Sequence, residues 1–338
     1  MREAISSGAL LALVDEWIGG RGVAVGPRRV KPDLVQYAPL DRARSLELDD
    51  YIHPANSIKQ FLFPRHETLY CYKCKGRDVE LPDAPDEIPN VLVIGARPCD
   101  AAALAIVDKV FNWDFKDELY NRRREAATIV TLACKDHDAV CFCTSVGLGP
   151  AAERGSDALL LDLGDGNYEV RCVTEKGKAL FAGRTESSTR TATVPSGPQP
   201  KFEPGHVQEF LTATYENPIW KDRPLRCIGC GGCAFTCPTC HCFDIQDERT
   251  ADGGRRVRNW DGCQFAQFTL HASGHNPRAG TANRQRQRIQ HKFRIYPEKF
   301  GDVLCTGCGN CVRNCPVRLG VLGVLEAIEA QEAAPAAR

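Results

Sequence analysis

The chain carries no excess of charge: across 338 residues, 43 basic side chains are matched by 43 acidic ones. No overall attraction to nucleic acid or to acidic substrates follows from such a balance. A helix-turn-helix or basic arm is also missing, which argues against a nucleic-acid partner. No apolar run approaches the ~20 residues of a transmembrane helix, so membrane insertion is not expected. The first residues, Met1–Ser7, lack the basic start, apolar stretch and cleavage site of a secretory signal. Two cofactor signatures are absent as well, a G-x-G-x-x-G following a strand and a P-loop. Nor is any paired nucleophile and base evident. With no export signal, the expected compartment is the reducing cytoplasm, where 18 cysteines argue for metal rather than disulfides.

Eight of those cysteines fall in two matching runs. Cys227, Cys230, Cys233 and Cys237 are followed by Pro238, and Cys305, Cys308, Cys311 and Cys315 by Pro316. Each run is C-x2-C-x2-C-x3-C-P, the spacing of bacterial-type ferredoxins. Three closely spaced thiolates wrap one [4Fe–4S] cube, and the fourth, turned away and stopped by proline, reaches the other. Cys227, Cys230, Cys233 and Cys315 are thus assigned to one cluster, and Cys237, Cys305, Cys308 and Cys311 to a second. The interleaved glycines let the backbone fold tightly with its N–H groups toward sulfur. Structural zinc needs only four ligands per ion, and two matched runs with the proline in the same place read as clusters instead.

Upstream, Ser6 or Ser7 caps an expected helix with Leu10, Leu13, Val14 and Trp17 on one face and Gly19-Gly20 at its end. Short apolar runs at 22–25 and 34–37 read as strands. So do 90–95 and 128–133, while 101–111 reads as a helix with Pro98 in its first turn. Residues 159–173 read as a β-hairpin turning at Gly164–Asn167. Four thiols gather at the ends of these elements: Cys99, Cys134, Cys141 and Cys143. Sites in α/β sheets form at strand C-terminal ends. A third iron–sulfur cluster, with Asp100 or His137 as alternate ligands, therefore stands beside the plainer reading of buried thiols. Cys71 and Cys74 form a lone C-x2-C without a thioredoxin pattern and read as free thiols.

The fold class expected is α+β in two domains. A mixed α/β domain spans 1–190 and a Pro- and Thr-rich linker 191–204. A helical two-cluster ferredoxin-like domain follows at 205–330, then a flexible tail at 331–338. Sixty-seven residues separate Cys237 from Cys305, an insertion or helical rebuild of a compact ferredoxin. Within it Arg284, Arg288 and Lys292 share a helix face. A solvated face is the plainest reading, and offsetting of cluster charge the alternative. Cys237-Pro-Thr-Cys240-His241 matches a haem-attachment pattern. Cys237 is already claimed by the cluster run, which leaves Cys240 and Cys242 to pack as sulfurs near a cluster, or Cys240 to replace an expected ligand.

Several motifs together carry a resemblance spanning most of the chain. They are Lys59–Pro64 with Glu67, Gly95–Asp100, Cys134 with Cys141-Phe-Cys143, Cys227 through Phe243, Gly274–Arg278, and Cys305–Pro316. The chain resembles the iron–sulfur electron-transfer subunits typified by the A subunit of anaerobic sulfite reductase. The beta subunit of soluble NAD(P)-linked nickel–iron hydrogenases (sulfhydrogenases) is in the same group. The resemblance implies a relay without a substrate of its own. Its partners would be a flavin- and NAD(P)-binding reductase subunit and a catalytic subunit of hydrogenase or reductase type. A self-contained redox enzyme using the N-terminal cysteine pocket, or an iron–sulfur redox sensor, would be the alternatives.

Overall fold

A computed structural model describes residues 2–20, 22–82 and 88–331; of the expected tail, residues 332–338 lie outside the described residues. Its first strands are β1 (Arg2–Ser6), β2 (Val23–Lys31), β3 (Leu34–Pro39), β4 (His66–Lys75), β5 (Asp78–Glu80) and β6 (Val91–Ala96). Then come β7 (Ala127–Leu132), β8 (Ala158–Gly164), β9 (Asn167–Cys172), β10 (Glu186–Ser188), β11 (Phe243–Thr250) and β12 (Gly253–Trp260).

Eight strands form one sheet in the order β10-β1-β9-β8-β7-β6-β2-β3. Its centre, β2-β6-β7-β8, is parallel and its flanks antiparallel. Strands β6 and β7 are buried along their whole length, as expected for parallel strands covered on both faces. The two-residue period decides which core each side chain joins. Leu92 and Ile94 pack with Leu10, Val14 and Leu160 on one face, whereas Val91 and Val93 pack with Leu104, Val107 and Phe63 on the other. Helices α1 (Ser7–Gly19), α2 (Pro98–Phe111), α3 (Glu118–Ala126) and α4 (Glu175–Phe181) cover the sheet. Ser6 caps α1 by accepting from the Ala9 N–H, and Pro98 occupies the first turn of α2, where its missing N–H costs nothing.

The C-terminal part contains α5 (Pro204–Ala213), α6 (Ile219–Asp222), α7 (Gly232–Phe235) and α8 (Thr281–Gln290). After these come α9 (Tyr296–Phe300), α10 (Asn310–Arg313) and α11 (Leu322–Glu329). Its core joins Val207, Leu211, Ile289, Phe293, Leu325 and Ile328. Helix α8 runs into α9 through a π-helical turn at His291–Ile295. Pro297 has no N–H for the Phe293 carbonyl, which a regular helix would require there, and a π turn absorbs the mismatch.

This part is not helical throughout. The segment between the cysteine runs contains the antiparallel hairpin β11–β12, and β12 pairs with β4 to give the sheet β11-β12-β4-β5. Under that junction lies a buried ion pair. Arg258 on β12 donates through Nε to Glu67 Oε2 on β4 at 2.9 Å, and Glu67 also pairs with Arg123. Arg258 pairs with Asp117 as well. The Glu67–Arg123 and Arg258–Asp117 pairs reach α3 and its cap, and the Trp260 indole N–H donates to the Phe63 carbonyl at 3.0 Å, which ties the hairpin to the layer over the larger sheet. Among the described residues no helix is long and apolar enough to cross a membrane.

Candidate metal centres

The two cysteine runs fold alike because their glycines fall at equivalent places. Gly229 and Gly231 flank Cys230, and Gly307 and Gly309 flank Cys308; all four have φ between 65° and 77°. A side chain there would strain the backbone, and the resulting tight turns aim successive N–H groups inward, a setting that favours anionic sulfur. Gly231 and Gly309 then cap the single-turn helices α7 and α10, which carry Cys233 and Cys311. Cys237 and Cys315 follow at the C-terminal ends of those turns. Beside Cys315, the N–H groups of Leu319, Val317 and Gly320 hold the thiol below its ordinary value against partial burial. The Leu319 N–H donates to its Sγ at 3.3 Å.

The fourth cysteine of the first run lies with the second. Cys237 is close enough to Cys305 and Cys308 to raise their thiols, and Cys311 joins the same group. Burial is the larger influence and pushes Cys305 up to about 12. Cys315 sits on the other side. The preceding Asn314 carbonyl and Cys230 Sγ lie equally close, 3.7 Å, to where a Cβ on Gly232 would stand. Cys227 and Cys233 are also neighbours, and burial pushes Cys233 up to about 11.

One helix face runs along the first cysteine run. Gln285, Arg288 and Lys292, spaced i, i+3 and i+7, lie on one stripe. The Gln285 amide donates to Cys227 Sγ at 3.2 Å, Arg288 to the Cys233 carbonyl at 3.1 Å, and Lys292 to Cys237 Sγ at 3.5 Å. The plainest reading of the basic helix, a solvated face, is therefore incorrect: Arg288 and Lys292 are only 3% and 2% exposed. Burial opposes the charge of Lys292, but the sulfurs of Cys237, Cys240 and Cys305 more than restore it. A buried cation needs a nearby anion. Here the anion is sulfur, which fits the negative charge of thiolate-bound cubes.

At the C-terminal end of the parallel strands lies a second gathering of thiols. Cys99 opens α2, Cys134 follows β7, and Cys141 and Cys143 lie on the loop beyond. Cys99 neighbours Cys134 and Cys143, and Cys134 neighbours Cys141. Burial raises all four thiols, Cys143 to about 11. Arg313 donates to Cys141 Sγ at 3.0 Å and pairs with Asp138. Cys308 is also a neighbour of Cys99, which brings this pocket against the second cysteine run. The backbones meet there: the Phe142 N–H donates to the Gly307 carbonyl at 2.9 Å.

Of the two alternate ligands, Asp100 is fully buried in this pocket and His137 is exposed. Asp100 Oδ2 accepts from Tyr37 at 2.8 Å and lies 3.1 Å from His53 Nε2. His53 was not singled out in the sequence. Its Nδ1 faces the Pro54 carbonyl at 2.8 Å and so donates there, while Nε2 turns to the Asp100 carboxylate. His53, Cys99 and Asp100 bring their ligand atoms within 4.8 Å of one another. No pattern around His53 marks it, since its place depends on β3 and α2 meeting. Cys71 and Cys74 lie three apart on β4, so they face opposite sides of the strand and cannot share a metal.

Apart from Cys172 on β9, the remaining thiols lie in pairs. Cys240 donates to Cys237, which holds the Cys237 thiol well down, and Cys242 donates to Cys263, bringing that thiol to about 6. Burial pushes the neighbouring His241 down to about 4.

Paired glycine turns, interleaved thiols and buried cations define an iron–sulfur protein with two [4Fe–4S] clusters. Residues 226–319 match the family described as 4Fe-4S dicluster domain. Over 290 residues the chain is 32% identical to "Sulfhydrogenase 2 subunit beta" of Pyrococcus furiosus, covering 80% of this chain and 82% of that protein. The chain belongs to that family of iron–sulfur electron-transfer subunits. No solved structure matches it.

Proposed function

We propose that this chain is the electron-relay subunit of a multi-subunit hydrogenase-type oxidoreductase. It would carry single electrons between a flavin- and NAD(P)-binding reductase subunit and a catalytic subunit. The ligand sets are those of the sequence: Cys227, Cys230, Cys233 and Cys315 for one cube, and Cys237, Cys305, Cys308 and Cys311 for the next. Cys99, Cys134, Cys141 and Cys143 hold a third, beside Asp100. The cubes supply one-electron storage at potentials set by their surroundings.

The observation that carries this reading is the unbroken succession of neighbouring sulfurs, Cys227–Cys233–Cys311–Cys308–Cys99–Cys134. One end opens to solvent at Cys230, beside Leu225 and Ile228, which are 80% and 67% exposed. That end suits contact with a partner carrying its own redox group. The relative's name, a sulfhydrogenase subunit, supports a hydrogenase-type assembly over a sulfite-reductase one.

Iron and acid-labile sulfide are measured per chain on anaerobically purified wild type and the Cys99→Ser/Cys141→Ser variant. The expected result is a loss of about four irons in the variant, together with slower reduction of the catalytic partner. An unchanged count would reduce the N-terminal thiols to packing.

A further inference from the structure

A cavity of 440 Å³ opens behind the first cysteine run, between the β11–β12 hairpin and the helix carrying Lys292. Cys240, Cys242 and Cys263 line it, with His241 and His291. None of these five belongs to the ligand sets above. We propose that it holds a further iron–sulfur cluster, ligated by Cys240, Cys242, Cys263 and His241 Nε2.

Three observations bear on this. The first is the orientation of His241. Its Nδ1 lies 3.1 Å from the Thr239 carbonyl, so Nδ1 carries the proton and Nε2 the lone pair. Metal-ligating histidines are oriented by such a bond to a backbone carbonyl. The second is charge. Lys59 is buried, donates to the Cys240 carbonyl and stacks 3.8 Å from the Trp260 ring centroid. The thiols of Cys240, Cys237 and Cys242 and the Lys292 ammonium are its neighbours. Arg288, also buried at this wall, leaves Nε without a partner. Two buried cations at this wall suit a site that carries negative charge when filled. The third is size. Among the described residues, only His53, Cys99 and Asp100 bring three ligand atoms within the 4.8 Å that a single ion spans. Around this cavity Cys242 and Cys263 touch as a pair, but no three donors come that close, so the set does not close on one ion and a cube suits it better.

Native mass spectrometry of the anaerobic full-length chain tests the assignment, because it separates bound cubes from single ions. Cys242→Ser/Cys263→Ser should carry one cube fewer than wild type, with about four fewer irons. In combination with Cys99→Ser/Cys141→Ser the losses should add, which separates this centre from the N-terminal pocket. Retention of the other cubes reports that the variant folds. His241→Ala, a milder change, should alter the electron paramagnetic resonance spectrum of one cluster and leave the others as they were. An unchanged cube count in the double variant, one zinc lost in place of a cube, or a Cys242–Cys263 disulfide in the wild-type chain would each overturn it.

Discussion

Replacing Lys292 by methionine removes a buried charge beside the second cube's ligands while keeping the length and apolar character of the stem. Lys292 Nζ stands 3.5 Å from Cys237 Sγ, which puts a unit charge about 6 Å from the cube centre and, at an effective dielectric of about 20, is worth about 3 kcal/mol. For one electron that energy is about 120 mV. The sign is fixed by electrostatics: reduction adds negative charge, so losing the cation makes the cube harder to reduce and lowers its potential. Lys292→Met should therefore titrate about 120 mV below wild type in potentiometric electron paramagnetic resonance. Lys292→Arg should stay close to wild type, provided both variants keep full iron. Lys292 also donates to Thr239 Oγ1 at 2.9 Å and the Leu304 carbonyl at 2.8 Å. Thr239 Oγ1 itself donates to that carbonyl at 2.9 Å, so the loop keeps one tie in the variant. A shift of less than about 30 mV, or an upward one, would mean that Lys292 is screened from the cube and that its burial serves packing.

Gly307→Ala places a Cβ 2.5 Å from the Phe142 carbonyl at φ 65°, which should cost about 2–4 kcal/mol in denaturant unfolding; a neutral result would show the loops are free to part. Glu67→Gln removes the charge facing Arg258 and Arg123 and should lower stability by about 3 kcal/mol, with Asp117 limiting the loss; a change below about 0.5 kcal/mol would mean the hairpin is held by its strand ladder alone. Cys305, Cys233 and Cys143 sit near 12, 11 and 11, above the thiol value of 9.0, because of burial. Iron must displace those protons, so its removal by a chelator should accelerate as pH falls, by up to about tenfold per unit for each thiol. The metal-free fold should show the opposite sign. Cys305 supports it below pH 9.0, and that support is lost as pH rises toward about 12, since unfolded thiols ionise first. Iron retention indifferent to pH would contradict burial of these ligands.

The parts legible in the sequence are those written over short distances. Cysteine spacing, the glycines beside Cys230 and Cys308, the Ser6 cap and the apolar runs of β6 and β7 each state their structure within about a dozen residues. What escaped depends on partners far along the chain. Phe243–Thr250 alternates too weakly to announce β11, because seven of its eight strand positions are exposed, and it becomes a strand only beside β12 and β4. Glu186–Ser188 carries no strand pattern of its own, yet three residues suffice once β1 offers an edge. The helix at Arg284–Lys292 misleads for a related reason. Three cations on one face normally mean water, and here the compensating charge is sulfur from cysteines more than fifty residues away.

That charge pattern also explains why the cluster region and the larger sheet are joined so firmly. The groups facing the first run, Gln285, Arg288 and Lys292, lie on α8 and the π turn that continues it, so a shift of this helix would disturb the contacts to Cys227, Cys233 and Cys237 together. Lys59, by contrast, comes from the N-terminal half and crosses to the Cys240 carbonyl. Asn310, inside the second cysteine run between Cys308 and Cys311, donates back to the Pro54 carbonyl at 3.1 Å. Electron hopping is sensitive to separation, and these crossings fix separation with buried polar contacts rather than with a sliding apolar seam. A buried donor torn from its acceptor costs about 1–3 kcal/mol, more when charged. Relative motion of the two thiol-bearing regions would break several such contacts at once, so the arrangement of sulfurs is held rigid where a relay requires it.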